Sequence, residues 1–324
     1  MILHAVWPKG RTSEFAADCH VGLEGWFTLE LIHARTGLVV RQLHFRNLIT
    51  NLGLNLLGSA TLNTILSHFA VGTSSAAPDV AQVALGAQAG STNSNGGFAD
   101  LASAWGVGNA YAFGRRTRVF TEAQANGALT EVGILDASNN LFCRSLIKDA
   151  LGDATTIVKT SEYQLRIDYE PRLYPPNVWG DYTFDASLNG VTQTFTGRPL
   201  GTGNAGAWNV FNFGGAPNTD TPQISVNNFA FCALATDAAL RTASSTSAFA
   251  VAATSRVNTT YIADSHYREQ TQEWSGAVAN GTNYFLYGWN GLNATFQLLF
   301  PAAFAKTNTF KFQVVSRAHW ARRP

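Results

Sequence analysis

Strict alternation of apolar and polar residues restricts this chain more than any other feature of its sequence. It is clearest over residues 163–169, where every second side chain would lie on one face of an extended strand. Residues 27–31 alternate in the same way, and the pattern resumes over 38–45 after the turn residues Thr36-Gly37. These segments predict one half-buried strand and one β-hairpin.

A second hairpin is predicted where the apolar runs 129–135 and 141–147 flank the turn-forming residues 137–140. One short helix is predicted after Thr50, because the leucines that follow share a face and Thr50 or Asn51 can cap it. Short β-like runs separated by Gly, Asn, Ser and Pro make up most of the remaining sequence. The sequence therefore predicts an all-β fold of antiparallel sandwiches or barrels.

The C-terminal half repeats short segments of the N-terminal half in the same order. The matches, at offsets of 163, 154 and 147 residues, are 69–73 with 232–236, 116–127 with 268–281, and Lys159-Thr160 with Lys306-Thr307. Residues 174–179, which include two prolines, favour an extended linker between the halves. We predict two tandem antiparallel β-sandwich-like domains, 1–174 with an N-terminal arm and 175–324, related by internal duplication.

Charge is scarce in this chain. It has 22 basic and 21 acidic side chains, so charged residues make up 13% of the sequence, against about 25% in an ordinary soluble domain. A formal net charge of +1 provides no field that would hold a polyanion, so we expect no nucleic-acid partner. We also expect no membrane span and no Sec export, since no long apolar window and no signal-peptide pattern occur.

No motif predicts a catalytic, cofactor-binding or metal site. Cys19, Cys143 and Cys232 are far apart and read as buried free thiols, and the seven histidines lack metal-ligand spacing. Residues 201–206 fit G-x-G-x-x-G but precede a strand-like segment, so a glycine loop is the expected structure. A carboxylate pair assembled by folding stays open at this point.

Two long segments, 86–108 and 198–223, are rich in Gly, Asn and Ala and are predicted to be loops. Loops of this length are usually functional, and aromatic residues in them serve either a partner interface or burial beneath the loop. Both readings stay open for these residues. The candidate interface or binding residues are Trp105, Tyr111, Trp208, Phe211 and Phe213.

Residues 45–54, Phe-Arg-Asn-Leu-Ile-Thr-Asn-Leu-Gly-Leu, followed by 69–78, resemble structural proteins of tailed bacteriophages. Those proteins show an F-x-N-L-I-T-x-x-G-L stretch, a V-G-T/S-G-x-x-x-P stretch, an aromatic strand, an E-V-G element with an arginine-bearing strand, and a closing K-T strand. In this chain the aromatic strand corresponds to 117–122 and the E-V-G element to Glu131-Val132-Gly133. The arginine-bearing strand corresponds to Phe142-Cys143-Arg144, and the closing K-T strand to 159–169. The resemblance covers about residues 26–174 and reaches the second half only through the repeat, where E-V-G is not retained at 284–288.

The resemblance implies a non-enzymatic structural component of a virion, in the tail or baseplate, that assembles with neighbouring tail proteins and as a homo-oligomer. Low charge independently suits a subunit that buries its surface against symmetric neighbours, because charge is depleted at interface cores. The alternative is a host-recognition tail fibre protein that binds cell-surface saccharide. A capsid decoration protein and a hydrolase of cell-surface polymer remain further alternatives.

Overall fold

The computed structural model describes residues 12–60, 62–105, 111–174, 182–188, 191–200, 233–235, 250–252, 255–275, 278, 280–289, 295–309 and 311–324. Strands account for 53% and helices for 7% of the structure, and the strand pairings are antiparallel. The predicted all-β fold class is confirmed. No helix within the described residues is long and apolar enough to cross a membrane.

The described residues form two compact units. One, here the first unit, contains Gly22–Tyr174 and Ala321–Pro324; the second unit contains described residues within Met1–Val21, Pro175–Asn209 and Ile224–Trp320. The elements up to residue 174 are β1 (Thr12–His33), β2 (Val39–Arg46), β3 (Leu48–Ile49), α1 (Asn51–Ser59), α2 (Leu62–Ile65), β4 (His68–Gly72), β5 (Gln88–Thr92), β6 (Leu101–Trp105), β7 (Ala112–Phe120), β8 (Gly127–Leu129), β9 (Glu131–Leu135), β10 (Leu141–Leu146), β11 (Ile157–Lys159) and β12 (Tyr163–Tyr174).

The first sheet of this unit has the strand order β2-β1-β12-β7-β6. Every second residue of β1 and β12 lies on the inner face of this sheet. Phe27, Leu29 and Ile167 are fully buried there, as is Tyr169, whose ring centroid lies 5.1 Å from that of Phe27. Each such side chain stabilises the fold by about 1.5–3 kcal/mol on burial. Gly25 approaches Tyr169 so closely that a Cβ at this position would lie 2.1 Å from the tyrosine hydroxyl.

The second sheet has the order β3-β10-β9-β4-β5, and α1 packs beside β10. The Thr50 hydroxyl accepts a hydrogen bond from the Gly53 amide at 2.9 Å and donates one to the Leu141 carbonyl at 2.7 Å. A Cβ on Gly53 would lie 2.1 Å from the Phe142 carbonyl oxygen. The predicted helix and its Thr50 cap are therefore confirmed, and the helix is tied to the strand behind it.

The predicted strand and both predicted hairpins are also present. The first hairpin turns at Gly37, whose φ of 70° is a left-handed conformation that glycine adopts at little cost. The second joins β9 and β10 through Asn139, which has a φ of 66°. The prediction that 86–108 is one long loop was wrong, because the segment contains β5 and β6. These strands are defined by backbone pairing to β4 and β7, and the small residues of β5 give no apolar alternation.

The second unit contains β13 (Tyr182–Leu188), β14 (Val191–Leu200), β15 (Ala233–Ala235), β16 (Ala250–Ala252), β17 (Ser255–Asn258), β18 (Tyr267–Trp274), β19 (Gly281–Trp289), β20 (Thr295–Lys306) and nearly all of β21 (Lys311–Arg322). One of its sheets has the order β13-β14-β20-β19-β15-β16, and β17-β18-β21 are adjacent in another. Trp274 and Phe312 pair across β18 and β21 and are fully buried. The predicted segment 198–223 enters β14 as far as Leu200 and otherwise lies outside the described residues. The boundary at 174/175 stays a prediction.

Several strand registers of the first unit recur in the second at positions that the sequence repeat aligns. The corresponding Cα pairs are Ala70–Gly133 with Ala233–Tyr287, Leu165–Phe120 with Phe312–Trp274, and Lys159–Gly127 with Lys306–Gly281. A slip of one residue in any pairing would move side chains to the opposite face. The two units thus share register at these three places.

Candidate functional site

The most organised group of exposed and half-buried side chains lies on the outer face of the first sheet. Because β1 and β12 alternate, residues between the core positions point away from it: Glu24, Trp26 and Glu30 from β1, and Arg166 and Arg172 from β12. The neighbouring strand β2 adds His44 opposite Thr28, and their side chains are 2.9 Å apart. This face is where the first unit concentrates charge and aromatic rings.

Six planar groups form a continuous series of contacts, here called the stacked ladder, within which the rings of Tyr111 and Tyr174 are tilted by 44°. Its order is His44, Trp26, Arg172, Tyr111, Tyr174, Arg323. The rings of His44 and Trp26 are 5.0 Å apart and nearly parallel, at 12°. The Arg172 guanidinium lies 4.7 Å from the centroids of both Trp26 and Tyr111, and that of Arg323 lies 3.8 Å from Tyr174. Cation–π contacts of this kind contribute about 0.5–2 kcal/mol each.

The Glu24 carboxylate holds two members of the stacked ladder, Tyr174 and Trp26, by hydrogen bonds. It is 9% exposed, and one carboxylate oxygen accepts hydrogen bonds from the Tyr174 hydroxyl at 2.8 Å and from the Trp26 indole at 3.2 Å. Its other oxygen lies 3.5 Å from the Arg46 guanidinium. Burial, the hydrogen bond to Glu24 and the carboxylate charge raise the pKa of Tyr174, so the phenol stays protonated as a donor.

Arg172 is held as a cation within the stack. Burial alone would lower its pKa, but the 2.7 Å hydrogen bond to Glu170 and the charge of that carboxylate outweigh burial and raise the pKa. With His44 on one side of Trp26 and Arg172 on the other, both faces of the indole are occupied. The ladder therefore fixes Trp26 from both sides, and its two end members, His44 and Arg323, are exposed.

The same region fastens the segment 321–324 to the first unit. The Arg323 amide donates to the Leu23 carbonyl at 2.9 Å, and the Arg46 guanidinium donates to the carbonyls of Arg323 and Pro324. Arg322 donates to the Ile49 carbonyl. Chain segments distant in sequence are thereby joined through arginine side chains, which present several donors in a fixed geometry.

A second organised group is buried in the second sheet and is here called the ion-pair cage. The Arg144 Nε donates to the Glu131 carboxylate at 2.6 Å, and both side chains are 1% exposed or less. The carboxylate also accepts from the amides of Ala87 at 2.7 Å and Gly86 at 3.1 Å. Burial would raise the pKa of Glu131, but the amide donors and Arg144 hold it below its ordinary value.

Arg144 completes the cage with its remaining donors. Its two terminal nitrogens donate to the Gln82 carboxamide at 2.9 Å and to the Ala76 carbonyl at 2.8 Å. The cage thus fastens loop 73–87 to β9 and β10. The buried charges of Glu131 and Arg144 each have an opposite charge and hydrogen-bond partners, as burial of an ion pair requires. Its two charged residues come from the E-V-G element and the arginine-bearing strand named in the sequence.

Cys143 lies in the core beside Tyr169 and Asn47. The side chain is fully buried, and burial raises the pKa of its thiol to about 12, an effect that the neighbouring polar groups of Tyr169 and Asn47 offset only in part. A protonated thiol without solvent access is neither a nucleophile nor a metal ligand. The reading of Cys143 as a buried free thiol is confirmed, whereas the side chains of Cys19 and Cys232 lie outside the described part.

The structure describes some of the predicted site residues and not others. Tyr111 is a member of the stacked ladder, and Trp105 ends β6 with its backbone paired to Ala112, although its side chain lies outside the described part. Trp208, Phe211, Phe213 and the glycine motif 201–206 lie outside the described residues. Partner contact by these aromatics stays a prediction.

Sequence reasoning missed Trp26, Arg172 and Tyr174. Each of the three stands at a position of an alternating strand where the pattern calls for a polar residue. Trp26 directly precedes Phe27, which stands at an apolar position. An aromatic residue at a position where alternation calls for a polar one is the signal that points to Trp26 and Tyr174, whereas Arg172 fits the pattern and gives no such signal. No group of three or more His, Cys, Asp or Glu side chains in the described part is placed to hold a metal ion.

Comparison with known proteins gives no match to this chain: no family model, no curated protein and no solved structure resembles it significantly.

Proposed function

We propose that this chain is a non-enzymatic structural component of a bacteriophage virion, located in the tail or baseplate, where it assembles with neighbouring tail proteins and with further copies of itself. The proposal uses the resemblance to phage structural proteins together with the positions that the resembling residues take in the fold. It assigns the chain no cofactor and no nucleic-acid partner.

One observation carries the proposal. Four of the six segments that resemble phage structural proteins lie in or beside the second sheet: 45–54 ends β2 and contains β3 and the start of α1, 69–78 contains most of β4, and the E-V-G and arginine segments lie in β9 and β10. These strands are neighbours in the order β3-β10-β9-β4. The other two, 117–122 and 159–169, lie largely in β7 and β12, which pair with each other in the first sheet. Resembling segments that are distant in sequence thus become neighbouring strands within each sheet, which supports one inherited structural unit.

The residues that define those segments also contact one another. Thr50 caps α1 and bonds to β10, Gly53 lies against the Phe142 carbonyl, and Glu131 and Arg144 form the ion-pair cage. Each residue has a role in folding, which supports the scaffold interpretation because a motif maintained for a reaction would place reactive groups at a surface.

The internal duplication belongs to the same proposal. Three strand registers agree between the units at repeat-aligned positions, including Lys159 with Gly127 and Lys306 with Gly281. The two charges of the ion-pair cage are not retained at the corresponding positions of the second unit: the repeat places Phe285 at Glu131, and strand pairing places Gln297 opposite Tyr287 as Arg144 is opposite Gly133. Duplication followed by divergence accounts for both facts.

The proposal is tested on phage particles purified by density gradient from the source of the chain. Quantitative mass spectrometry should detect the chain in intact particles at a fixed ratio to known tail proteins, and disruption of its gene should leave particles without complete tails. Absence of the chain from purified particles would contradict the proposal.

Host recognition is separated from scaffolding by the variants Trp105→Ala and Trp208→Ala. Normal particles that no longer adsorb to cells would favour a saccharide-binding tail fibre protein, whereas failed tail assembly would favour the scaffold. A control variant, Val257→Ala, removes a side chain that is 62% exposed in the second unit and should affect neither readout.

A further inference from the structure

A lysine amine and an asparagine carboxamide meet beside the paired strands β8 and β11 of the first unit. Lys159 is 1% exposed, and its Nζ donates a hydrogen bond to the Asn126 Oδ1 at 2.8 Å and a longer one to the Glu122 carbonyl at 3.4 Å. A lysine side chain is almost never fully buried unless it is paired. Both groups that accept a hydrogen bond from Nζ among the described residues are neutral, so a direct ion pair does not explain the burial.

The backbone fixes the position of both groups. The pairing of β8 with β11 places Lys159 opposite Gly127, the residue that follows Asn126. Ala125, which precedes Asn126, has a φ of 49°, a left-handed conformation that residues other than glycine seldom adopt. Strained backbone of this kind is concentrated at functional sites. The turn therefore holds the carboxamide beside the amine in advance of any reaction between them.

The second unit has the same two residue types in the same register. Gly281 pairs with Lys306 and directly follows Asn280, just as the corresponding glycine of the first unit pairs with its lysine and follows its asparagine. The offset of 154 residues that aligns the two asparagines places Gly276 at the position of Glu122. Both units therefore have the lysine and the asparagine, whereas the acidic neighbour belongs to the first unit alone.

The surroundings of Lys159 favour its neutral form. Burial lowers the pKa of the Lys159 amine, and the charge of the Glu122 carboxylate opposes this shift only in part. A neutral amine is a nucleophile, whereas an ammonium ion has no lone pair to donate. The Gln164 carboxamide donates a 2.9 Å hydrogen bond to the Glu122 carboxylate and so positions it. Glu122 thus provides a proton acceptor whose charge acts on the amine.

We propose that Lys159 and Asn126 are a self-modification site, at which the amine and the carboxamide condense into an intramolecular isopeptide bond. The Lys159 Nζ attacks the Asn126 Cγ and forms a new C–N bond, while the bond between Cγ and Nδ2 breaks and ammonia leaves. The Glu122 carboxylate takes one proton from the lysine ammonium before the attack, and a second proton moves from Nζ to the leaving nitrogen. Glu122 then returns its proton to the released ammonia. The products are a secondary amide and an ammonium ion, so the step needs no other reactant.

The bond ties the turn 121–127 to β11. A covalent cross-link stabilises a folded chain largely by restricting its unfolded state, so the first unit gains resistance to unfolding. This inference goes beyond the proposed function, because it concerns chemistry within the chain and requires no neighbour.

Mass spectrometry of the purified full chain after trypsin digestion tests the bond. Trypsin should fail to cleave after Lys159, and the peptides 119–144 and 149–166 should be recovered as one species. Its mass should be lower than the sum of the two peptides by one ammonia, about 17 Da. Cleavage after Lys306 should proceed, because the second unit lacks the acidic neighbour. Lys159→Arg keeps the positive charge without the amine, and it should release 119–144 alone and at its full mass.

The variant Glu122→Gln tests the proton acceptor. It keeps a side chain that can accept the hydrogen bond from Gln164, but it should slow bond formation about 100-fold, as loss of a general base does. Freshly purified Glu122→Gln should therefore be mostly unlinked. Glu162→Gln is the matched control, because this exposed glutamate of the same region should be dispensable and its variant should be linked like the wild type. Circular dichroism spectra establish that both variants are folded.

Separate, unmodified peptides from the wild type would overturn the isopeptide bond. Loss of ammonia from an unlinked 119–144 peptide would overturn it as well, because that product is the cyclic imide of Asn126 with the Gly127 amide. Full linkage in Glu122→Gln, or a blocked cleavage after Lys306, would contradict the assigned role of Glu122. The wild-type peptides decide the bond by themselves, so a variant that fails to fold does not leave it untested. None of these results affects detection of the chain in purified particles, which tests the proposed function separately.

Discussion

Removal of the Arg144 cation from the ion-pair cage should be among the most destabilising single changes in the first unit. Arg144→Met leaves the Glu131 carboxylate buried without its counter-charge and removes the hydrogen bonds to Gln82 and Ala76. Loss of one partner of a buried pair costs about 3–5 kcal/mol. Arg144→Lys keeps the charge but loses the forked geometry, and we expect about half that cost.

The free energy of unfolding is measured by urea denaturation of the full chain, followed by tryptophan fluorescence. Hydrogen exchange provides a local readout, because the amides of Gly86 and Ala87 donate to Glu131 and should lose protection in Arg144→Met. Arg35→Met is the matched control at an exposed arginine and should change stability by less than about 0.5 kcal/mol. Unchanged unfolding and unchanged exchange over 73–87 in Arg144→Met would refute the structural role of the cage.

The cage also predicts a pH dependence of defined sign. The pKa of Glu131 is lower in the folded protein than its ordinary value of 4.5. The stabilisation by the ionised carboxylate is therefore complete above pH 4.5 and is lost as the pH falls through the lower folded-state pKa. The stability difference between the wild type and Glu131→Gln should be constant at neutral pH and shrink below pH 4.5; a difference that grows on acidification would contradict this reasoning.

Three further predictions concern the first unit. Gly25→Ala should destabilise it by about 1–3 kcal/mol through overpacking against Tyr169, whereas Gly22→Ala, with no atom nearer than 3.5 Å to the new Cβ, should be tolerated in the same thermal melt. Thr50→Ala should cost about 1–2 kcal/mol through loss of the helix cap, measured by urea denaturation, and a cost near zero would contradict the cap. Cys143, with its pKa raised to about 12, should resist iodoacetamide at pH 8 in the native protein and react in urea, as followed by peptide mass spectrometry; rapid native labelling would contradict its burial.

Local patterns predicted the elements whose signal lies within a few residues. Alternation over 163–169 gave a strand that the structure extends to Tyr174, and the Thr36-Gly37 turn gave the first hairpin. The helix after Thr50 followed from its cap and its leucine face. In each case the determinant is a period or a cap that a short window contains.

The candidate sites depend on the register between paired strands, which a short stretch of sequence does not determine. Glu131 and Arg144 meet because β9 and β10 pair Arg144 with Gly133, two residues along the strand from Glu131. Arg172 lies between Trp26 and Tyr111 only because β12 pairs with both β1 and β7. The β5 strand escaped prediction for a related reason, since backbone pairing at an edge needs no apolar alternation.

Electron microscopy of gold-labelled particles tests the central claim most directly. Phage carrying an affinity tag after residue 324 would be purified from the source, labelled with nanogold and imaged beside untagged particles as the control. The account predicts gold at the tail or baseplate of intact particles, at a reproducible position. Gold confined to the capsid would contradict the tail location, and particles without label, from lysates in which the tagged chain is abundant and soluble, would contradict the virion assignment itself.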